Sequence, residues 1–252
     1  MLSELLQLNI FAFFLIFARI GTALAFAPGF SASYVSLRIR LGIGLGITFV
    51  VLPMLAADLP VIPATVSGLA KLLAAEVVVG GFYGVIMRIL IASLQTAGTI
   101  AALASSMANA LVNDPVAEQQ SSTISGFLLT MAVVLIFVSD MHHMMIRGIL
   151  ESYGMFRPGE PLPFGDFANV TARQVADSFA MGLQMASPFM VLGLTYYIGL
   201  GLLGRLMPAL PVFFFGLPIQ ITLQLTMFTV TISGIMIAFV QHFQSSLGRF
   251  LP

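Results

Sequence analysis

SSMANALVNDPVAEQQSSTIS, Ser105–Ser125, is the stretch on which the organisation of this chain turns. It is a run of small, polar and acidic residues without Lys or Arg, bounded on both sides by hydrophobic sequence. Asp114-Pro115 lies at its centre, and a residue that precedes proline is pushed out of the helical region. Inside an apolar chain, a polar insert of this length faces water, lines a cavity or packs against partner protein.

The surrounding sequence sets that choice. Of 252 residues, 59% are hydrophobic and 8% charged, where soluble domains carry ~25% charged residues. The mean hydropathy of +1.04 belongs to a multi-pass membrane protein. A formal net charge of zero gives no electrostatic basis for binding nucleic acid. The absence of cysteine excludes disulfides, thiolate catalysis and Cys-ligated metals.

A spanning helix needs ~20 mostly apolar residues. The expected fold is all-α, with about six long hydrophobic helices and the polar insert after the third. The segments are Leu5–Ala27, Leu41–Ala57, Gly68–Leu94, Ile124–Ile149, Phe179–Leu203 and Pro218–Phe243. Ala25-Phe26-Ala27 mimics a signal-peptide cleavage site, but Glu4 replaces the basic n-region and Arg19 interrupts the apolar run, so the first segment reads as a retained helix. Pro28-Gly29 stops it. Thr96–Leu111 is helical but too short and polar for a span. Tyr153–Asp177 is the most soluble-looking part, with Thr171 a plausible cap for a helix starting between Asn169 and Phe179. Pro188 is expected to kink the fifth span, and Arg205–Leu217 to form a loop holding Pro208 and Pro211. No repeat or domain boundary is visible, so the chain reads as one unit.

The positive-inside rule does not resolve orientation. Six spans with the first loop cytoplasmic put Arg38, Arg40 and Arg205 inside and Arg147, Arg157, Arg173 and Arg249 outside. An extra crossing at Thr96–Leu111 leaves Arg205 as the exception. A half-crossing segment, or a chain not laid into the bilayer in the usual way, would each explain the conflict.

Ionisable groups within spans cost ~2.5–3.5 kcal/mol each and need a partner or a wet wall. Arg19 and Glu76 are candidates to pair, either as an ion pair fixing helix register or as part of a proton relay. Lys71 and Arg88 fall near helix ends, where they can snorkel. Asp140, His142 and His143 form the one His-carboxylate cluster. The spacing puts Asp140 and His143 on one face and turns His142 elsewhere. A third ligand is lacking, His242 being the other histidine, and HExxH spacing is absent. The cluster reads as a polar helix-end anchor or subunit contact. No nucleophile elbow with partners and no phosphate loop occurs, so no enzyme activity, metal or cofactor is expected.

Close helix packing is expected instead. Gly42 and Gly46 form one G-x-x-x-G pair, and Gly80 and Gly84 another with Glu76 on the same stripe. Gly193 and Gly199–Gly204 give the fifth span a small-residue surface. Such stripes serve intramolecular bundling or intersubunit contact, and together with many Phe and Met side chains they fit an assembled complex.

At this point a resemblance enters. FARIGTALAFAPGF (Phe17–Phe30), followed by Arg38-Ile39-Arg40-Leu41, resembles the opening of the flagellar biosynthesis protein R family (FliR), whose virulence-system relatives are the T subunits of type III secretion. The likeness continues through Glu76, Gly80 and Gly84, Asn113-Asp114-Pro115 and Asp140-Met141-His142. It ends in GRLMPALPVFFFGLPIQ (Gly204–Gln220), with Pro208, Phe213, Gly216 and Pro218 on the motif. That motif usually reads close to P-Q-x-N-[IV]-F-x-x-G-x-P-x-K. Here Ala209 stands for the Gln, Pro211 for the Asn and Gln220 for the basic residue, which puts any anchor made by that cation in doubt. Ser105, Ser106 and Asn109 stand where relatives tend to carry Gly or Ala.

The resemblance implies a non-enzymatic subunit of the export gate in the inner membrane, at the flagellar basal body. Its implied partners are several P-type and Q-type subunits, the B-type switch subunit and rod components, with unfolded proteins as substrates in transit. It also implies a P-like part near residues 1–180 followed by a Q-like helical hairpin near 181–252, with helices lifted and tilted relative to ordinary spans. The insert is implied to project into the pore and help close it. Its residues would be Ser105, Ser106, Met107, Asn109 and Asn113, then Asp114, Pro115, Glu118, Gln119 and Gln120. Arg19, Glu76, Asp140 and His142 would serve assembly. The alternative is a secondary transporter protomer whose insert interrupts a broken helix at a substrate site. That would call for inverted halves with matched breaks, and one large interruption is visible.

Overall fold

The computed structural model describes residues 2–56, 59–106, 111–113, 120–207 and 212–250. Seven helices and a small ribbon follow one another there: α1 Leu2–Phe26, α2 Leu37–Leu55, α3 Val66–Ala104, β1 Leu111–Asn113, β2 Gln120–Ser122, α4 Thr123–Val138, α5 Met141–Met155, α6 Phe164–Leu206 and α7 Val212–Gly248. By length and composition α2, α3, α6 and α7 can each cross a membrane, and the bent pair α4–α5 makes a fifth candidate. The architecture is that of a multi-pass helical membrane protein, with four or five candidate spans among the described residues where six were expected. In α1 the described apolar stretch, Ile10–Phe26, is shorter.

Local chemistry explains most helix ends. Beyond Phe26 the chain turns at Pro28-Gly29, where Gly29 takes φ +82°, a left-handed conformation that suits a residue without Cβ. Ser36 caps α2, its hydroxyl accepting from the Ile39 amide at 3.4 Å. Arg40 ties this turn down by donating to the carbonyls of Phe30 and Ala32 at 2.9 and 3.3 Å.

Several expected boundaries move. No proline interrupts Val66–Ala104, so Thr96–Ala104 continues α3 instead of forming a separate stretch. At 39 residues, α3 is about 58 Å long, nearly twice the ~30 Å apolar thickness of a bilayer. The expected fourth span is broken at Ser139-Asp140, where α4 and α5 meet at 75°. Asp140 sits there at φ +56°, a conformation that Asp tolerates better than most side chains.

The soluble-looking segment also changes character. From Phe164 onward it is the start of α6, and Thr171 lies inside that helix rather than capping one. Its anchor is aromatic: Phe167 stacks on Phe82 at 4.4 Å and meets Phe156 edge-on at 5.0 Å. Pro188 lies inside α6. The late loop is shorter than expected, because α6 reaches Leu206 and α7 begins at Val212. Gly216 and Pro218 are therefore helical, while Pro208 lies outside the described residues.

Contacts within the chain gather it into two compact units. The first comprises Met1–Ile89, Ser139–Gln174 and Gln244–Pro252, and the second Leu90–Val138 and Val175–Phe243. Within the first, α3 lies directly against the backbone of α1. A methyl group built on Gly80 would collide with the Arg19 carbonyl, and one on Gly84 would come within 2.7 Å of the Ala23 carbonyl. The other glycine pair behaves differently. A methyl group built on Gly42 or Gly46 would meet nothing within 4 Å among the described residues, whereas one on Gly44 of α2 would lie 3.3 Å from the Phe17 ring. Within the second unit, a methyl group on Gly98 would collide with Ser125 of α4, and one on Gly182 of α6 would come within 2.7 Å of the Ser93 carbonyl.

Gly80→Val should therefore destabilise the chain by at least roughly 1–3 kcal/mol, as overpacking does. Gly46→Ala should leave an isolated chain as stable or more so, by up to ~1 kcal/mol. Thermal unfolding in detergent distinguishes the two, and equal melting temperatures would refute the backbone contact.

Candidate functional site

In the first unit the sequence places a cation and an anion in apolar helices, and the fold joins them. Arg19 Nε donates to Glu76 Oε2 at 2.7 Å and Nη2 to Oε1 at 2.9 Å, a bidentate pair in which each side chain is 1% exposed. Nη1 donates to the Ser152 hydroxyl at 3.0 Å, and Nη2 to the Phe156 carbonyl at 2.8 Å. The Tyr153 ring lies 3.8 Å from the guanidinium carbon, a cation–π contact. Four of the five guanidinium hydrogens thus have partners. The pairing suggested by the sequence is present. Ser152, Tyr153 and Phe156 are additions that spacing could not supply, since they lie more than 130 residues from Arg19.

At the α4–α5 elbow Asp140, His142 and His143 come together. The sequence reading turned His142 away, and the structure corrects it. The two imidazoles lie 4.1 Å apart, and one ligand atom from each of the three residues falls within 4.8 Å of the others. Asp140 and His143 meet as expected, and the ring of the adjacent His142 leans toward His143 from its own position on α5. Asp140 Oδ1 is 3.6 Å from His143 Nδ1, both side chains being exposed. Donors on a tetrahedral zinc sit only about 3.4 Å apart, and the positive end of α5 points at this cluster. As arranged, the three residues form an elbow contact.

In the second unit the insert begins and ends in order. Ser105 is buried, and its hydroxyl donates to the carbonyls of Ala101 and Ala102 at 2.9 and 3.0 Å. Ser106 takes φ +59° and its hydroxyl shares a 3.1 Å hydrogen bond with Tyr197. β1 and β2 then pair antiparallel, with Leu111 opposite Ser122 and Asn113 opposite Gln120. The last residues of the expected insert, Thr123–Ser125, belong to α4. Met107, Asn109, Asp114, Pro115, Glu118 and Gln119 lie outside the described residues. Gln220, on the late motif, donates to the Ala104 carbonyl at 2.7 Å and to Tyr197 Oη at 3.0 Å. Gln224 donates to the Phe189 carbonyl at 3.3 Å.

The sequence match across these elements is decisive. The family described as bacterial export proteins, family 1, matches residues 10–246. The chain belongs to this family, the FliR family. Curated FliR relatives, each called flagellar biosynthetic protein FliR, match it along most of their length. The protein from Caulobacter vibrioides is 31% identical, covering 94% of each chain. That from Pectobacterium carotovorum is 31% identical over 83% of this chain and 80% of its own. The Escherichia coli K12 protein is 28% identical over 92% and 88%. The FliR match therefore takes in Arg19, Glu76, the elbow, both ends of the insert and the α6–α7 hairpin.

Removing one partner of a buried ion pair strands a charge and costs roughly 3–5 kcal/mol. Arg19→Gln and Glu76→Gln should each destabilise on that scale, with the double change much milder than the sum. Additive losses in a thermal-unfolding cycle would mean that the pair is not coupled.

Proposed function

We propose that this chain is a non-enzymatic subunit of the flagellar type III protein export gate, set in the bacterial inner membrane at the basal body. The observation that carries the reading is the near full-length match to flagellar biosynthetic proteins, 94% of this chain against 94% of the Caulobacter relative. The helices are consistent with it. α2, α6 and α7 turn most of their apolar surface outward, as suits a chain that meets lipid and partner subunits. In this reading residues 1–180 act as a P-type-like part and 181–252 as a Q-type-like hairpin. P- and Q-type subunits complete the pore, with the B-type switch subunit and rod components as neighbours, and unfolded proteins pass through.

The insert after α3 closes the pore. Small and polar residues without a basic group suit a segment that must seal against solutes and yield to a passing chain. Arg19 and Glu76 brace the helices of the first unit. The transporter alternative draws little support, because one bent helix pair occurs among the described residues and no second break matches it.

Loss of the gene should abolish flagellar filaments. Deleting residues 109–120 should leave assembly with the P- and Q-type subunits intact but make the membrane leaky to small solutes. Co-purification from membranes and solute influx read the two effects, and a sealed, exporting gate after the deletion would sink the plug role.

A further inference from the structure

The last four carbonyls of any α-helix lack intrahelical donors, and in apolar surroundings each one left open is costly. At the end of α3 all four are met. Ala101 accepts from the Ser105 amide at 3.0 Å and Leu103 from the Ser106 amide at 3.2 Å. Ala102 accepts from the Ser105 hydroxyl at 3.0 Å. The fourth, Ala104, is capped from another element: Gln220 Nε2 of α7 donates to it at 2.7 Å. The second amide hydrogen of Gln220 goes to Tyr197 Oη of α6 at 3.0 Å, which leaves the phenol proton for the Ser106 hydroxyl at 3.1 Å.

We propose that Gln220 and Tyr197 are positioning residues of the gate. Together they clamp the end of α3, and hence the point where the insert begins, to the α6–α7 hairpin. The inference rests on the gate reading above and adds to it which residues set the insert's root. The clamp is graded. Gln220 is 1% exposed, so its bond to Ala104 is sheltered, whereas Tyr197 is 46% exposed and its link to Ser106 lies at the surface of the chain. Ser106 holds a left-handed conformation that is unfavourable for a residue with a Cβ. Opening the phenol link therefore lets Ser106 relax while Gln220 keeps the helix end in place. Gln220 supplies the shorter bond to the Ala104 carbonyl, beside a longer one from Gln224 Nε2 at 3.4 Å, and a cation at position 220 would also suit the negative end of the α3 dipole.

Three full-length variants within the assembled gate test the clamp. Gln220→Glu keeps the shape but turns an acceptor toward the Ala104 carbonyl, Gln220→Lys restores a donor, and Tyr197→Phe removes the hydroxyl alone. Amide hydrogen exchange over residues 101–106 is read on the purified complex, and solute influx in cells. Gln220→Glu should speed exchange by about fivefold or more, as loss of one hydrogen bond does, and cause leakage. Gln220→Lys should largely restore both, and Tyr197→Phe should give a smaller effect in the same direction. Should Gln220→Glu fail to accumulate, Tyr197→Phe at its half-exposed site decides. Unchanged exchange in the variants overturns the clamp. Faster exchange without leakage, where deletion of 109–120 does leak, overturns the positioning role and leaves the gate reading standing. Absence of leakage in both overturns the gate reading as well.

Discussion

A guanidinium and a carboxylate, each removed from water, constrain the whole first unit. Arg19 and Glu76 neutralise one another at 2.7 Å, and either one alone there would be a buried, unpaired charge. The arrangement binds three helices. Arg19 comes from α1, Glu76 from α3, and Ser152 and Tyr153 from α5, with the Phe156 carbonyl just beyond it. Guanidinium geometry makes this possible, because its planar fork presents donors in several directions at once. A lysine could neutralise Glu76 but could not also reach a hydroxyl and a carbonyl while lying flat on a tyrosine ring. α5 is held to the same group through Ser152 and Tyr153.

Much of this fold was legible in the sequence because the determinants are local and composition-driven. Apolar length located the long helices, and Pro28-Gly29 marked a true end. Charges inside apolar helices had to find one another, which singled out Arg19 and Glu76. The failures share a cause in contacts made at long sequence separation. Tyr153–Asp177 looked soluble, yet Phe167 is buried against Phe82 and Phe156 and draws the segment into α6. Gly42 and Gly46 were read as serving either bundling or intersubunit contact, and within the chain it is Gly44 of α2 that faces the Phe17 ring of α1.

The two places where the chain departs from the expected family pattern meet in space. Ser105 and Ser106 stand at the start of the insert and Gln220 on the late motif, 114 residues further on. All three serve the carbonyls at the end of α3. The Ser105 hydroxyl, the Ser106 backbone amide and the Gln220 side-chain amide all donate there. Neither departure was interpretable alone, because the sequence does not tell which helix end a side chain on α7 will reach.

The glycines that press α3 against α1 also determine direction. Gly80 meets Arg19 and Gly84 meets Ala23, so residue numbers rise together along both helices. The two therefore run parallel, and α2 between them has to be the return stroke. The turn carrying Arg38 and Arg40 and the start of α3 near Lys71 consequently lie at opposite ends of this three-helix unit. Out, back and out again is thus a sequence of directions imposed by backbone contact, in a protein whose scattered arginines give no consistent vote on sidedness.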